Sequence, residues 1–283
     1  MPESQISLSN LQDRGFAAPY GEPVALSPLV TRLLAPNPGA FTFRGTGVYL
    51  VGAGSTIAVI DPGPLLDDHL AALKRAIGAR RVSHILITHT HRDHSESADA
   101  LKAWSGAQTF AFGPQGAAST GEEADDADFI PDVRLKDGDV IRGDGFTLTA
   151  LHTPGHASNH LCFALAEERA LFSGDHVMGW SSSVIAPPDG DMAAYMESLR
   201  RLIAREDTIL YPTHGAPITR PVLYMEALLQ HRFEREAQIS DCLARGVRDI
   251  DGLVDAIYVG LDPVLRPAAA LTIRAHLEKL GGT

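Results

Sequence analysis

The chain has 283 residues, with 24 lysines and arginines against 35 aspartates and glutamates, a formal net charge of −11 with histidine neutral. That balance opposes binding of nucleic acid or anionic membrane by bulk electrostatics, and 45% hydrophobic with 21% charged residues marks an ordinary globular chain able to bury a sizeable core, not a disordered one. No apolar run reaches the ~18–20 residues of a membrane span, and the opening MPESQISLSN has neither a basic nor an apolar leader region, so a cytoplasmic protein with no membrane partner is expected.

Residues 47–61, GVYLVGAGSTIAVID, read as two β-branched runs split by a Gly/Ser turn, a hairpin whose second strand ends at Asp61. LLDDHLAALKRAIG then places Leu66, Leu70, Leu73 and Ile77 on one helical face closed by Gly78. VSHILIT is a strand, SESADALKAW a helix and AQTFAF a strand, an alternation that signals an α/β fold. Residues 114–131 break the pattern with Gly, Pro, Ser and the acids Glu122, Glu123, Asp125, Asp126 and Asp128, a solvated loop or a rim that repels anions. Short strands follow at VRL, DVI, FTLTALH, LCFAL, ALFSG and TILYPT, interrupted by a helix over Met192–Ala204. After Gly215 the pattern is helical, in PVLYMEALLQHRFEREAQISDCLA, IDGLVDAIY and PAAALTIRAHLEKL. Two units are expected, a catalytic domain over 1–219 and a helical unit over 220–283 that closes the active-site cleft or forms a homodimer contact.

Two cysteines, Cys162 and Cys242, are too few for a disulfide framework or a cysteine-based zinc site, and both are expected to be buried thiols. The informative excess is histidine, with twelve residues. The strand VSHILIT runs straight into His89, His91, Asp93 and His94. Imidazoles and a carboxylate cost free energy to desolvate unless something pairs with them, and a divalent cation would pair with all four. Alternate residues of an extended segment point the same way, so His89 and His91 can share one ion while Asp93 and His94, past the turn, face a second. HTPGH ends in His156, LFSGD in Asp175 and YPTHG carries His214, each at a strand terminus where function is displayed on a rigid scaffold.

The ordered series H-x-H-x-D-H, T-P-G-H, G-D and T-H-G resembles the metallo-β-lactamase superfamily, over nearly the whole chain from about Gly39. The resemblance implies a four-layer αβ/βα sandwich, and by motif it assigns His89, His91 and His156 to one zinc ion. Asp93, His94 and His214 would hold a second, with Asp175 bridging and Asp61 of DPG orienting a histidine ligand. Iron or manganese suits the same donors. Within the superfamily, Asp175 and His94 set the chain apart from true lactam hydrolases and from the persulfide-oxidising iron branch. The segments NPGAFTFRGTGVYLVG, HRFEREAQI and IDGLVDAIY through LRPAAALTIRAHLEKL resemble the β-lactamase-like endoribonucleases of mitochondria and their bacterial relatives, which end in a winged-helix-like unit; that family usually has asparagine where this chain has Gly47.

The reading implied is a binuclear hydrolase of a small anionic ester, thioester or phosphodiester. Two zinc ions, two aspartates and a bridging hydroxide leave about one positive charge at the site, and metal lowers the pKa of bound water toward ~7. Asp93 would orient the hydroxide. His160 is a candidate for substrate contact or leaving-group protonation, or for a structural role. The alternative is a single-strand endoribonuclease, opposed by net charge, since a phosphate-tracking groove needs cations and only Lys74, Arg75, Arg80 and Arg81 cluster. A DNA-binding C-terminal sensor lacks the basic face such a unit needs. Of the remaining histidines, His84 is expected in the core, His69 on the surface and His152 bracing the TPGH turn, while His176, next to Asp175, either points at the pocket or, as the favoured reading, does not. His231 and Arg232 either pair with acids or bind a substrate anion.

Overall fold

A computed structural model describes residues 7–116, 126 and 128–281. Seven strands form the first sheet in chain order: β1 (Val24–Ala25), β2 (Val30–Leu34), β3 (Gly47–Val51), β4 (Thr56–Ile60), β5 (Arg81–Leu86), β6 (Gln108–Ala111) and β7 (Val133–Arg134). β1 to β4 pair antiparallel, whereas β4 to β7 pair parallel. Parallel neighbours need a crossover. Helix α1 (Asp67–Ile77) supplies it between β4 and β5, and α2 (Arg92–Ser95) with α3 (Ala98–Ser105) between β5 and β6.

The second sheet has the order β12 (Ile209–Pro212), β11 (Ala170–Gly174), β10 (Leu161–Leu165), β9 (Thr147–His152), β8 (Val140–Arg142), antiparallel except for the β11–β12 pair, which α4 (Met192–Ile203) connects. β3, β4, β10 and β11 are buried along their whole length because both faces of each sheet are covered. Tyr49, Val51, Ala58 and Ile60 meet Leu148, Phe163 and Phe172 between the sheets. Val48, Leu50, Ile57 and Val59, the alternate residues, face Leu73, Ile77 and Leu101 of α1 and α3. Cys162, Ala164 and Leu171 face Tyr195, Met196 and Leu199 of α4. The expected four-layer αβ/βα sandwich is the fold.

Helices α5 (Pro221–Ala244), α6 (Ile250–Ile257) and α7 (Arg266–Lys279) complete the chain. The 24 residues of α5 serve two cores. Tyr224, Met225 and Leu228 pack with α4, while Ile239 and Cys242 pack with Leu253, Val254 and Ile273. A division at 219/220 therefore cuts α5 from a layer its first half completes. Both cysteines are buried free thiols. No helix among the described residues is long and apolar enough to cross a membrane.

Three local expectations change. The residues before Gly39 supply β1 and β2, of which β1 pairs with β2 and β2 with β3, and neither was anticipated as a strand. The buried face of α1 is His69, Ala72, Leu73 and Ile77, because Leu66 is the residue capping the helix and lies exposed. His69 is thus a core residue, not a surface one: its Nε2 donates to the Pro62 carbonyl at 2.8 Å, and burial lowers its pKa. In the acidic segment, Glu122, Glu123 and Asp125 lie outside the described residues. Asp126 is no free rim charge, since its N–H donates to Thr90 O at 2.7 Å and its carboxylate accepts from Ser95 Oγ at 3.0 Å.

Candidate metal centre

Four chain segments deliver the candidate ligands to one end of the two sheets. β5 ends at Leu86 and the chain stays extended through His89 and His91 until the single turn of α2, closed by His94 N–H on His91 O, carries Asp93 and His94 round to a new direction. His156 lies in the loop from β9 to β10, Asp175 directly follows β11 and His214 follows β12. Gly155, with φ +142°, lets this loop press on α4: a Cβ there would sit 2.3 Å from Tyr195 Cα. Gly174, at φ +51°, lies against His160 Nε2, 2.5 Å from where a Cβ would be. Neither close approach tolerates a side chain.

All seven side chains converge. His89, His91 and His156 form one group with ligand atoms within 4.8 Å of one another, Asp93, His94 and His214 a second, and His89, His94 and Asp175 a third that joins the two. His91 Nδ1 is 2.8 Å from His89 Nε2 and 3.2 Å from His156 Nε2. Asp93 Oδ2 and Asp175 Oδ2 each lie 3.3 Å from His214 Nε2 and 3.6 Å from His94 Nε2.

The outward nitrogens show what the inward ones are for. His156 Nδ1 faces Val184 O at 2.7 Å, His214 Nδ1 faces Gly45 O at 3.1 Å and His94 Nδ1 faces Asp61 Oδ2 at 2.8 Å. Oxygens of this kind accept, so each Nδ1 carries a proton and each Nε2 is the ring nitrogen turned inward, free to give a lone pair to a cation once it is unprotonated. His94 Nε2 and Asp175 Oδ1 are buried without a hydrogen-bond partner. Lone pairs packed this closely repel one another unless a cation stands among them, and the donor set of imidazoles and carboxylates fits divalent metal.

Charge is concentrated asymmetrically. Burial lowers the pKa of His91 to about 3, helped by His156 and His94, whereas at His94 burial is outweighed by Asp93, Asp175 and Asp61, which raise it well above the usual range. At His214 burial is again outweighed, and Asp175 and Asp93 raise the pKa to about 10. Burial pushes Asp93 and Asp175 upward, but the neighbouring His94 and His214 hold both well below the ordinary carboxylate range.

Asp61 accepts from Thr88 N–H and Thr88 Oγ1, both at 2.8 Å, as well as facing His94. His160 is fully buried with both ring nitrogens engaged: Nδ1 with Thr153 Oγ1 at 2.8 Å, Nε2 accepting the Asp175 N–H at 3.2 Å. It holds a backbone, with both ring nitrogens committed inside the protein. Several polar side chains around the site were missed in the sequence. Thr46 Oγ1 donates to Asp93 Oδ2 at 2.8 Å and is itself held by Asn37. Ser183 Oγ donates to the Asp175 carbonyl at 2.6 Å. Hydroxyls and amides carry no periodic signal, and nothing in their spacing marks them. His152 braces its loop through Nε2 and Ser158 O, as expected, and His84 is half-buried against Phe110. His176 is buried against Tyr195 with neither ring nitrogen partnered. Arg232 pairs with no acid among the described residues; its guanidinium donates to Ser183 O.

Residues 42–214 match the metallo-β-lactamase superfamily, and residues 250–281 match the β-lactamase-associated winged helix domain. The chain is 35% identical over 241 residues to an atrochrysone carboxyl ACP thioesterase of Paecilomyces divaricatus, covering 83% of this chain and 70% of that protein. It is 31% identical over 279 residues to a β-lactamase-like protein 2 homologue of Caenorhabditis elegans, covering 92% and 86%. A β-lactamase domain protein from Burkholderia ambifaria has the same fold at a TM-score of 0.81 and 21% identity, covering 99% of this chain and 93% of that one. The chain belongs to the metallo-β-lactamase superfamily, and it is a hydrolase.

Proposed function

We propose that the protein is a binuclear metal-dependent hydrolase, with thioesters of small anionic acyl groups as its first substrate class and esters or phosphodiesters as related ones. The observation that carries this reading is the inward-facing donor set, seven side chains in three overlapping groups with His94 Nε2 and Asp175 Oδ1 buried and without a hydrogen-bond partner. His89, His91 and His156 would hold one cation, Asp93, His94 and His214 the other, and Asp175 both. Zinc is the metal proposed, with iron or manganese as alternatives. Bound there, such a pair supplies a water ionised near neutral pH and a Lewis acid for the oxygen that gains charge.

The chain's own residues do the rest. Asp93 is 24% exposed at its side chain while His94 and His214 are sealed, so substrate and water approach beside Asp93. Held ionised by His94 and His214 and fixed by Thr46 Oγ1, it can accept a hydrogen bond from the attacking water and aim it. His160 and Ser183 hold the Asp175 backbone from either side, at its N–H and its carbonyl. The relatives named as acyl carrier protein thioesterases favour a thioester over the phosphodiester.

Among the described residues the clustered cations offer RNA little. Of the four clustered cations, Lys74 lies over Trp104 and Arg80 is folded back on the Ala76 and Ile77 carbonyls. Position 47, where the endoribonucleases carry asparagine, is closed by backbone: Gly47 N–H donates to Thr213 O at 2.8 Å, and a Cβ there would meet that oxygen at 3.0 Å.

Elemental analysis of freshly purified protein should give two metal ions per chain. Parallel assays on a thioester, a lactone, bis-p-nitrophenyl phosphate and a short single-stranded RNA should show thioester cleavage, abolished in Asp93→Ala. Activity that survives Asp93→Ala, or that resides only on RNA, overturns the reading.

A further inference from the structure

Helix α5 carries a buried guanidinium that no carboxylate among the described residues neutralises. Arg232 is 1% exposed. One amino group donates to Ser183 O at 2.5 Å and the guanidinium carbon lies 5.0 Å from the centre of the Tyr195 ring, but Nε has no hydrogen-bond partner. The acid one turn on, Glu236, is committed elsewhere, at 3.4 Å from His276 and 2.8 Å from Lys279. A buried charge without a counter-charge is costly to keep, so a position built this way implies an anion that arrives from outside.

The place for it is adjacent. Arg232 lines a cavity of about 150 Å³ together with Phe41, Trp180, Tyr258, Leu265 and Thr272, apolar but for a few groups. An apolar cavity of roughly this size takes one benzene-like ring. One wall is the segment that also supports the metal ligands, through Val184 O on His156 and Ser183 Oγ on the Asp175 carbonyl. The other wall comes from the C-terminal helices. Ser181, Ser182 and His231 line both this cavity and a larger polar groove of about 830 Å³ along α5, with room for the extended remainder of a substrate.

From these observations we infer that the cavity is the acyl pocket, and that it selects a ring-sized apolar acyl group bearing a carboxylate or comparable anionic oxygen, which Arg232 receives. This rests on the hydrolase reading above for the word acyl, and on the cavity and Arg232 alone for the ligand chemistry. It assigns the C-terminal unit a part in choosing the substrate.

Binding is measured first, without turnover, by quenching of Trp180 fluorescence in a Trp104→Phe background, since Trp104 and Trp180 are the two tryptophans. The probes are benzamide and 4-carboxybenzamide. The carboxylated amide should bind about tenfold or more tightly than the neutral one, the scale of a charge-assisted hydrogen bond. Arg232→Gln, which keeps an N–H for Ser183 O, should remove most of that preference with metal content unchanged. Equal affinities, or a preference that survives Arg232→Gln, overturn the assignment. If Arg232→Gln loses its metal, Ala268→Phe, which fills the cavity, decides: lost binding of 4-carboxybenzamide at full metal content supports the pocket, and unchanged binding overturns it. Benzoyl, 4-carboxybenzoyl and acetyl thioesters of N-acetylcysteamine then separate the two readings. Thioesters cleaved without regard to size or charge keep the hydrolase and overturn the pocket. Intact amide discrimination with no thioester cleaved supports the pocket and overturns the thioester reading.

Discussion

The Asp61 carboxylate meets the His94 ring at 2.8 Å between Oδ2 and Nδ1, with both side chains sealed from solvent. Asp61 is the first residue past β4 and His94 lies in the turn past β5, so two parallel neighbours in the sheet fix the relation between them. The same carboxylate accepts from Thr88 N–H, tying the ligand-bearing segment to the strand beside it. Asp61→Asn keeps the shape and loses the charge that holds the His94 proton outward. Metal affinity should fall about 10–100-fold with the circular dichroism spectrum unchanged, measured by competition with a chelator. Wild-type affinity would show that the contact only packs.

His160 accepts the Asp175 N–H and touches no solvent. His160→Ala should weaken metal binding about tenfold, and added metal should restore turnover with both limbs of the pH profile in place. A proton donor to the leaving group would behave otherwise, with the alkaline limb lost and no rescue by metal.

Gly155 leaves no room for a side chain over Tyr195 and adopts a backbone conformation that disfavours one. Gly155→Ala should cost about 1–3 kcal/mol, read as a lower Tm, and should lower metal occupancy because His156 is the next residue. Thermal unfolding with and without added metal checks both effects.

His231 and His276 have pKa values lowered to about 3, by burial first and then by Arg232 and Arg235. Both are therefore neutral in the folded chain. Below about pH 6.5 the unfolded chain takes up protons that the folded chain refuses, so stability falls as pH drops from there toward about 3; above it these groups contribute no slope. Each should contribute about 1.4 kcal/mol per pH unit in that window. Urea unfolding between pH 7.5 and 4 should show the decline, and His231→Gln with His276→Gln should make it shallower by these two groups' share, leaving the slope due to the other buried histidines. A wild-type midpoint that rises as pH falls contradicts the assignment.

Most of the framework was legible because it is local. The apolar runs GVYLV and LCFAL and the helical stretches over Met192–Ile203 and Pro221–Ala244 each follow from residues close to one another in the chain. His69 escaped that logic. A polar residue on a helix reads as exposed until the Pro62 carbonyl that receives its N–H is in place, seven residues away. Thr46 and Ser183 escaped it too, because a hydroxyl's partner is set by distance in space.

What the sequence alone determined about this protein is which residues end its strands and that those ends carry metal-binding donors, since strand period, turn chemistry and ligand type are properties of neighbouring residues. Only the tertiary structure decided that α5 completes one core and builds another, that His160 faces a backbone amide, and that Arg232 is buried beside a cavity with no acid paired to it among the described residues. The His160 and Arg232 contacts join residues 15 and 49 positions apart, and solvent exclusion, which fixes their charge and their role, exists only once the layers have closed over them.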